Sequence, residues 1–305
     1  MNRLTERKIV LVIRETRLGS LRARFATKMQ AKFYVSRLGG DFADYENEDA
    51  VYRDAIAAAR QTLGACGRVQ TVDRRLLPNF LFGPEDIVVA LGQDGLVANT
   101  LKYLNGHPLI GVNPDPARWD GRLLPFGLGD LGVIAAETLA NKRALRRVDM
   151  AEAELNTGTR LFAVNDFFIG VRGHSSARYR ITAGSQAENH SSSGVIVSTG
   201  LGSTGWYRSL MTGAAAIAGI GPPETEFAWD SGELRFTVRE PFPSRTTGSS
   251  LVSGSITRTA PLVIESQMGE AGVIFSDGIE SDFLEFNSGT RATVTLAGRQ
   301  GLLVC

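Results

Sequence analysis

Two glycines flank a single carboxylate in the segment Gly92-Gln93-Asp94-Gly95. Glycines allow backbone N–H groups to approach an anion closely, and the N-terminus of a helix binds anions well. An apolar run over residues 87–91 precedes the segment, and helical spacing follows it. Asp94 would then lie at the carboxyl end of a strand, where α/β sheets usually bind ligands. The four residues alone leave two interpretations open, an anion-binding loop and an ordinary turn.

A second polar group, Asn165-Asp166, interrupts the apolar run Ala163–Ile169. Burying polar groups costs free energy unless they form hydrogen bonds. The pair is therefore either hydrogen-bonded within the protein or turned toward a polar ligand such as a ribose diol. The local pattern favours neither interpretation.

A third group lies in Ser198–Trp206, which is rich in glycine and hydroxyl side chains. Hydroxyl groups such as those of Ser203 and Thr204 can donate to phosphate or sugar oxygens, and Trp206 can stack on a base. No lysine follows the second glycine, so the segment is not a Walker A loop. A plain hairpin or a helix cap would give the same pattern. Farther along, Asp277-Gly278 is typical of a hairpin turn.

The elements that would position the first group follow a strand and helix alternation. Continuous apolar runs predict strands buried on both faces, and intervals of three and four predict the helices between them. This alternation indicates an α/β domain with a Rossmann-like parallel sheet, which we assign to residues 1–145. The predicted strands are 8–14, 68–72, 87–91 and 108–112, and the predicted helices include 49–63 and 129–139.

The other two groups lie where helical periodicity largely disappears. From about residue 146, short apolar or alternating runs are separated by Gly, Ser, Asn and Asp. This pattern predicts a mostly β domain over residues 146–305, with one interruption that has helical character at 202–218. The run 161–169 is predicted as one strand.

Composition limits the classes of partner. A chain of 305 residues is long enough for two domains. The formal net charge of +1 gives no electrostatic footprint for nucleic acid or an anionic membrane, so we expect small molecules or protein chains as partners. Cys66 and Cys305 predict neither a disulfide framework nor a zinc site. Without an apolar signal core after the polar N-terminus, we expect a cytoplasmic protein.

Taken together and in their order along the chain, these motifs resemble those of the NAD kinase family. That family has a Gly-Gly-Asp-Gly loop after a strand, an Asn-Glu or Asn-Asp pair, a Ser/Thr/Gly segment ending in Tyr or Trp, and a late Asp-Gly turn. The likeness spans nearly the whole chain and is closer to the mitochondrial-type branch, a statement about sequence and not about compartment. The matching segments are Gly92-Gln93-Asp94-Gly95, Asn165-Asp166, Ser198–Trp206 and Asp277-Gly278.

The resemblance implies a two-domain phosphotransferase. Such enzymes transfer the γ-phosphoryl group of ATP, or of polyphosphate in some members, to the 2′-hydroxyl of the adenosine ribose of NAD, with Mg²⁺. By similarity, Asp94 would orient this hydroxyl or accept its proton, and Gly92 and Gly95 would admit the phosphates. Asn165 and Asp166 would bind ribose hydroxyls.

Three further assignments come from the same resemblance. Thr204 and Trp206 would hold the adenosine, with Ser203 in the same binding segment. Arg178 would be a charge partner for phosphate, although a surface ion pair is an alternative. Family members are commonly homodimers or homotetramers, and we expect the same here.

The chain departs from the family at two positions of the loop. Gln93 stands where the family has its second glycine, and Leu96 stands where it usually has threonine. We expect a Cβ at position 93 to forbid a positive φ angle or to narrow the approach of phosphate. Two alternative functions follow: a kinase of the same fold for another hydroxyl, such as a sugar or nucleoside, and a dinucleotide sensor without catalysis.

Overall fold

A parallel sheet forms in the first part of the chain, and its inner strands are uninterrupted apolar runs of the sequence. The structure, a computed structural model, describes residues 3–305 apart from the side chain of Glu280. In the first unit, the strands pair in the order β2-β1-β3-β4, and all of these pairs are parallel. Every residue of β3 is buried, as expected for an inner strand. The strands are β1 (Lys8–Ile13), β2 (Arg68–Asp73), β3 (Ile87–Leu91) and β4 (Pro108–Val112).

Over the residues that the structure describes, five helices and a 3₁₀ segment complete this unit. The longest is α3, which buries Ala55, Ala59 and Leu63 at four-residue intervals against the sheet. It begins before the predicted residue 49 because the Asp41 side chain accepts the N–H of Ala43 and caps the helix. The helices are α1 (Arg17–Arg24), α2 (Lys28–Arg37), α3 (Phe42–Cys66), α4 (Asp94–Leu101) and α5 (Leu131–Leu139), with the 3₁₀ segment at Arg74–Asn79.

The second unit is built from two sheets, in agreement with the predicted β domain. One sheet has the order β12-β11-β10-β7-β14-β15, and the other includes β16-β13-β8-β9 with β5 and β6. Buried apolar side chains from both sheets form its core. The strands are β5 (Leu145–Leu155), β6 (Arg160–Ala163), β7 (Asp166–Val171), β8 (Ala177–Ala183), β9 (Gln186–Ser192), β10 (Val195–Ser198), β11 (Leu234–Val238), β12 (Ser253–Ile256), β13 (Leu262–Ser266), β14 (Gly272–Ser276), β15 (Ile279–Glu285) and β16 (Arg291–Val304).

The interruption predicted in this unit is helical. A 3₁₀ turn at Gly202–Thr204 leads into α6 (Trp206–Ala218). Gly219 ends the helix in the left-handed region at φ 71°, a conformation that glycine adopts without strain. Among the helices of residues 3–305, none is both long enough and apolar enough to cross a bilayer.

The run 161–169 is not a single strand, and this part of the prediction is wrong. It divides into β6 and β7, which belong to different sheets. Val164 and Asn165 lie between them, so Asn165-Asp166 marks the point where the chain passes from one sheet to the other. The physical reason is that the Asp277 carboxylate accepts the N–H groups of Val164 and Asn165, which therefore do not pair with a neighbouring strand.

The two units do not divide the chain at a single point. The first comprises Met1–Arg146 and Leu302–Cys305, and the second comprises Arg147–Gly301. The sequence pattern predicts instead that all of 146–305 belongs to the second domain. The last residues belong to the first unit because Leu302 and Leu303 pair in parallel with β4.

Candidate functional site

Asp94 is the first residue of α4, and its carboxylate is held by two backbone N–H groups. The Leu123 N–H donates to Oδ1 at 2.7 Å, and the Arg122 N–H donates to Oδ2 at 3.2 Å. One donor on each oxygen fixes the plane of the carboxylate, while each oxygen keeps capacity for a further donor. The side chain is only half-buried. Asp94 is therefore oriented by the protein and open to a ligand hydroxyl.

The glycine at position 92 is required by packing. A Cβ there would come within 2.9 Å of the Cδ2 atom of Leu96, which is fully buried. Leu96 thus forms an apolar wall behind the turn. The Gly92 N–H donates to the Val112 carbonyl on the neighbouring strand, which ties the turn to the sheet.

The expected conformational conflict at Gln93 does not occur. Its φ of −130° and ψ of 167° are those of extended backbone, which any residue adopts. The Gln93 carbonyl accepts the N–H groups of Leu96 and Val97, at 2.8 and 3.3 Å, and so begins the helix. The other half of the expectation, that its side chain narrows the approach of phosphate, stays a prediction.

Gly95 gives the turn its open side. It is exposed, and a Cβ at this position would meet no atom within 4 Å. The first N–H groups of an α-helix have no acceptor within the helix, and the helix dipole favours negative charge there. The start of α4 therefore combines an oriented carboxylate with N–H groups suited to a phosphate.

In the second unit, Asp277 holds the chain around Asn165. Its Oδ1 atom accepts the N–H groups of Val164 at 3.0 Å and Asn165 at 2.6 Å, and its own N–H donates to the Asp166 carbonyl at 3.0 Å. Asp277 and Gly278, at φ 56° and 69°, form the turn between β14 and β15. The predicted hairpin turn is present, and in addition its carboxylate fixes the Asn165 segment.

The glycine-rich segment packs directly against the same residues. The Thr199 hydroxyl donates to the Val164 carbonyl at 2.5 Å and accepts the Gly202 N–H at 3.1 Å. A Cβ on Gly202 would lie 2.0 Å from the Asn165 carbonyl oxygen, so only glycine permits this approach. Sequence reasoning missed Thr199, although its place in the Ser-Thr motif was a usable signal.

The structure thus brings together the Asn165-Asp166 pair and the turn that carries Ser203 and Thr204. The Ser203 side chain is fully buried, and its hydroxyl donates to the Gly200 carbonyl at 2.7 Å. Thr204 is half-buried on the same 3₁₀ turn. Of the two hydroxyls, Ser203 closes the turn and Thr204 is the more accessible to a ligand.

Trp206 belongs to an apolar cluster on the six-stranded sheet. Its ring is nearly parallel to that of Phe168, with centroids 5.8 Å apart, and it remains partly exposed. The Arg239 guanidinium lies 5.3 Å from the Trp206 centroid. A partly exposed ring can stack on a base, and a cation beside the ring can attract the phosphates of the same nucleotide.

Arg178 is placed differently from the other candidates. It lies on β8, whereas Asp166 begins β7 in the other sheet of the unit. The Arg178 side chain is exposed and has no ion-pair or hydrogen-bond partner among the side chains of residues 3–305 that the structure describes. The surface ion pair considered from the sequence is therefore not found in that part of the chain.

Asp166 is nearly buried, with 9% of its surface exposed. Burial, together with the negative charge of Asp277, raises the pKa of Asp166 to about 7. Near neutral pH this carboxyl group therefore exists in both protonation states. It can donate a hydrogen bond to a ribose oxygen or accept one from a ribose hydroxyl.

This raised pKa predicts a pH-dependent stability. Between about pH 4 and pH 7 the folded state binds more protons than the unfolded state, so the free energy of unfolding falls as the pH rises. The loss is complete above pH 7 and amounts to at most about 4 kcal/mol. In Asp166→Asn this contribution is absent, so urea unfolding at pH 5 and pH 8 should show a smaller fall than in the unchanged protein. If the free energy of unfolding fell equally in both proteins, the pH dependence would not come from a raised pKa of Asp166.

Comparison with solved structures identifies the fold as that of two-domain nucleotide-binding kinases. More particularly, the chain has the NAD kinase fold. It matches an NAD kinase from Archaeoglobus fulgidus solved in complex with ATP, with a TM-score of 0.58 and 15% identity over 98% of this chain and 93% of that one. It also matches yeast NADH kinase complexed with NADH, with a TM-score of 0.56 and 14% identity over 99% and 84% of the two chains. No protein-family model and no curated protein matches the sequence.

Proposed function

We propose that the chain is an NAD kinase, which transfers the γ-phosphoryl group of ATP to the adenosine-ribose 2′-hydroxyl of NAD and so forms NADP. The observation that carries the proposal is the oriented carboxylate of Asp94 at the open N-terminus of α4. The NAD kinase fold, in structures solved with ATP and with NADH, supports it. The order of the sequence motifs supports it independently.

Asp94 acts on the acceptor hydroxyl. The 2′-oxygen forms a bond to the γ-phosphorus, the bond from that phosphorus to the β,γ-bridging oxygen breaks, and ADP leaves. The hydroxyl proton passes to the Asp94 carboxylate. Phosphoryl transfer has a loose transition state, so positioning contributes more than the strength of the base. The N–H donors from Arg122 and Leu123 supply this positioning.

The start of α4 receives the phosphates of the donor. Gly95 is open to solvent, and Leu96 is withdrawn into the core, so the backbone forms the contact surface. Mg²⁺ enters with ATP as the Mg·ATP complex and is therefore part of the substrate. Its chemistry is to neutralise charge on the β- and γ-phosphates.

Residues of the second unit bind the dinucleotide. Asn165 and Asp166 hydrogen-bond ribose hydroxyls, and the segment is held for this by Asp277. Thr204 and Trp206 contact the adenosine. A homodimer or homotetramer is a further expectation from the resemblance, and a cytoplasmic location is a further expectation from the sequence.

An acceptor panel tests the proposal. Purified protein is incubated with Mg·ATP and, in parallel, NAD, NADH, nucleosides and sugars, and products are identified by mass spectrometry. We expect NAD or NADH to gain one phosphoryl group and the other acceptors to gain none. Phosphorylation of a nucleoside or sugar instead would favour a kinase of the same fold with another acceptor. Binding of NAD without any product would favour a sensor.

The conformation of Gln93 predicts how its variants behave. Because its backbone is extended, glycine has no conformational advantage there, and only removal of the side chain can affect the donor. We therefore expect Gln93→Ala and Gln93→Gly to have kcat/KM values for ATP that agree within about twofold. A gain confined to Gln93→Gly would show that the loop needs a conformation that this structure does not have.

A further inference from the structure

The donors that orient Asp94 belong to one loop, residues 113–123. The loop follows β4 and is organised locally by Asn113, which is buried. The Asn113 side chain accepts the Asp115 N–H at 3.0 Å and donates to the Trp119 carbonyl at 2.9 Å. These bonds shape the loop but do not attach it to a helix. The position of the two Asp94 donors therefore depends on what else holds the loop.

Arg118 attaches this loop to α3. Its Nη2 atom donates to Oδ1 of Asp44 at 2.5 Å, its Nη1 atom donates to Oδ2 at 3.2 Å, and its Nε atom donates to Asp115 at 3.4 Å. The pair of bonds to Asp44 is bidentate, a geometry that only arginine provides. Arg118 thus connects Asp115, which lies on the loop, with Asp44, which lies on α3.

Asp44 is the first carboxylate in a chain of alternating charges along α3. It also accepts Nη2 of Arg17 at 2.7 Å, and Arg17 in turn donates through Nε to Glu48. Glu48 is buried, and its carboxylate accepts a hydrogen bond from Nη2 of Arg14 at 2.8 Å. Asp44 and Glu48 are four residues apart, so they lie on one face of the helix.

The far end of this chain of charges lies beside the Gly92 turn. Arg14 directly follows β1, the strand that pairs with β3, and its Cδ atom is 3.8 Å from where a Cβ on Gly92 would be. Tyr52, one turn beyond Glu48, donates to the Leu91 carbonyl at 2.6 Å and accepts the Arg14 N–H at 3.0 Å. The same helix face therefore reaches the turn that carries Asp94 from behind.

The charges persist at neutral pH. Hydrogen bonds from Arg118 and Arg17 hold the pKa of Asp44 well below its usual range. Burial alone would raise the pKa of Glu48, but hydrogen bonds from Arg17 and Arg14 lower it. The Arg118–Asp44 and Arg17–Asp44 pairs are partly exposed, and each contributes little to global stability by itself. The effect of this network of ion pairs is therefore to fix the position of the loop, and not to stabilise the fold as a whole.

We propose that Arg118 and Asp44 are positioning residues, which hold the loop 113–123 so that its Arg122 and Leu123 N–H groups orient the Asp94 carboxylate. The proposal rests on the proposed function for its catalytic consequence. Its structural content, the attachment of the loop through Arg118, is independent of that function.

Amide hydrogen exchange in Arg118→Met tests the structural content. Loss of the bidentate bond should free the loop, so exchange at the Arg122 and Leu123 amides should rise by about tenfold or more. Amides of the buried strand β3 should be unaffected. Arg118→Lys keeps the charge but not the paired geometry and should show an intermediate increase. Unchanged exchange at both loop amides in Arg118→Met would overturn the proposal.

Kinetics test the catalytic consequence. Arg118→Met should lower kcat for NADP formation by about 10- to 100-fold with little change in KM, because misplacement of a catalytic group affects the transition state more than binding. The matched control is Arg53→Met, which removes the ion pair of Arg53 with Asp49 on the same helix and should change neither readout. Faster exchange in Arg118→Met while the unchanged protein makes no NADP would uphold the positioning role and count against the proposed function. An undiminished kcat in a protein that makes NADP would overturn the catalytic part.

Discussion

Asp94→Asn is expected to lower kcat for NADP formation by about 10³-fold or more, because the variant keeps the shape of the side chain but cannot accept the hydroxyl proton. One of the two backbone donors, Arg122 or Leu123, would then face an NH₂ group in place of an oxygen. The expected loss in free energy of unfolding is only about 1 kcal/mol, since the site is half-exposed and water can reach the donor. Steady-state kinetics and urea unfolding measure the two quantities.

Asp130→Asn is the matched control for this change. Asp130 also lies at the start of a helix, directly before the first residue of α5, and like Asp94 it accepts a backbone N–H, that of Gly127 at 3.0 Å. The same chemical change at this exposed position should leave kcat unchanged. If Asp94→Asn retained a kcat close to that of Asp130→Asn, Asp94 would not be the group that acts on the hydroxyl.

Asp277→Ala is expected to cause the largest loss of stability, about 2–5 kcal/mol, because it leaves the Val164 and Asn165 N–H groups without their acceptor. Alanine is also strained in the left-handed region at φ 56°. Asp277→Asn should lose less, since asparagine tolerates this region and keeps one acceptor oxygen. It also removes the negative charge beside Asp166, so the pKa of Asp166 should fall.

Urea unfolding of both Asp277 variants checks the expected order of stability, in which the unchanged protein is highest and Asp277→Ala lowest. The control is Asp230→Ala, which removes an exposed aspartate from the same unit and should change the free energy of unfolding by less than about 0.5 kcal/mol. If Asp277→Ala were as stable as this control, the carboxylate would not be what holds the Asn165 segment.

The turn around Asp94 could be predicted because each part of it is encoded locally. A continuous apolar run identifies β3, and the helical spacing that follows identifies α4, so the place of Asp94 between them follows from neighbouring residues alone. The same reasoning identified β1 and β4, and residues 68–72 were predicted as a short strand, which is β2. The conformational conflict expected at Gln93 is absent because the backbone of this residue is extended and has no positive φ angle.

The hydrogen-bond partners that hold the site could not be predicted, since the residues of each pair lie far apart in the sequence. Asp277 reaches Asn165 across 112 residues, and Arg118 reaches Asp44 across 74. The local pattern of apolar and polar residues contains no information about hydrogen bonds between such distant residues. The strand β9 was missed for a different reason: its sequence Gln186–Ser192 has almost no apolar residues, and it forms at the edge of a sheet by pairing with β8.

The most direct measurement is the balance of NADP formed against ATP consumed by the purified protein with Mg²⁺ and NAD, with the phosphorylated hydroxyl located by mass spectrometry and ³¹P NMR. If the chain is an NAD kinase, we expect one NADP per ATP, phosphorylated at the 2′-hydroxyl of the adenosine ribose, and almost no product with Asp94→Asn. NAD that binds without being phosphorylated, or a product carrying its phosphate on another hydroxyl, would contradict the proposed activity.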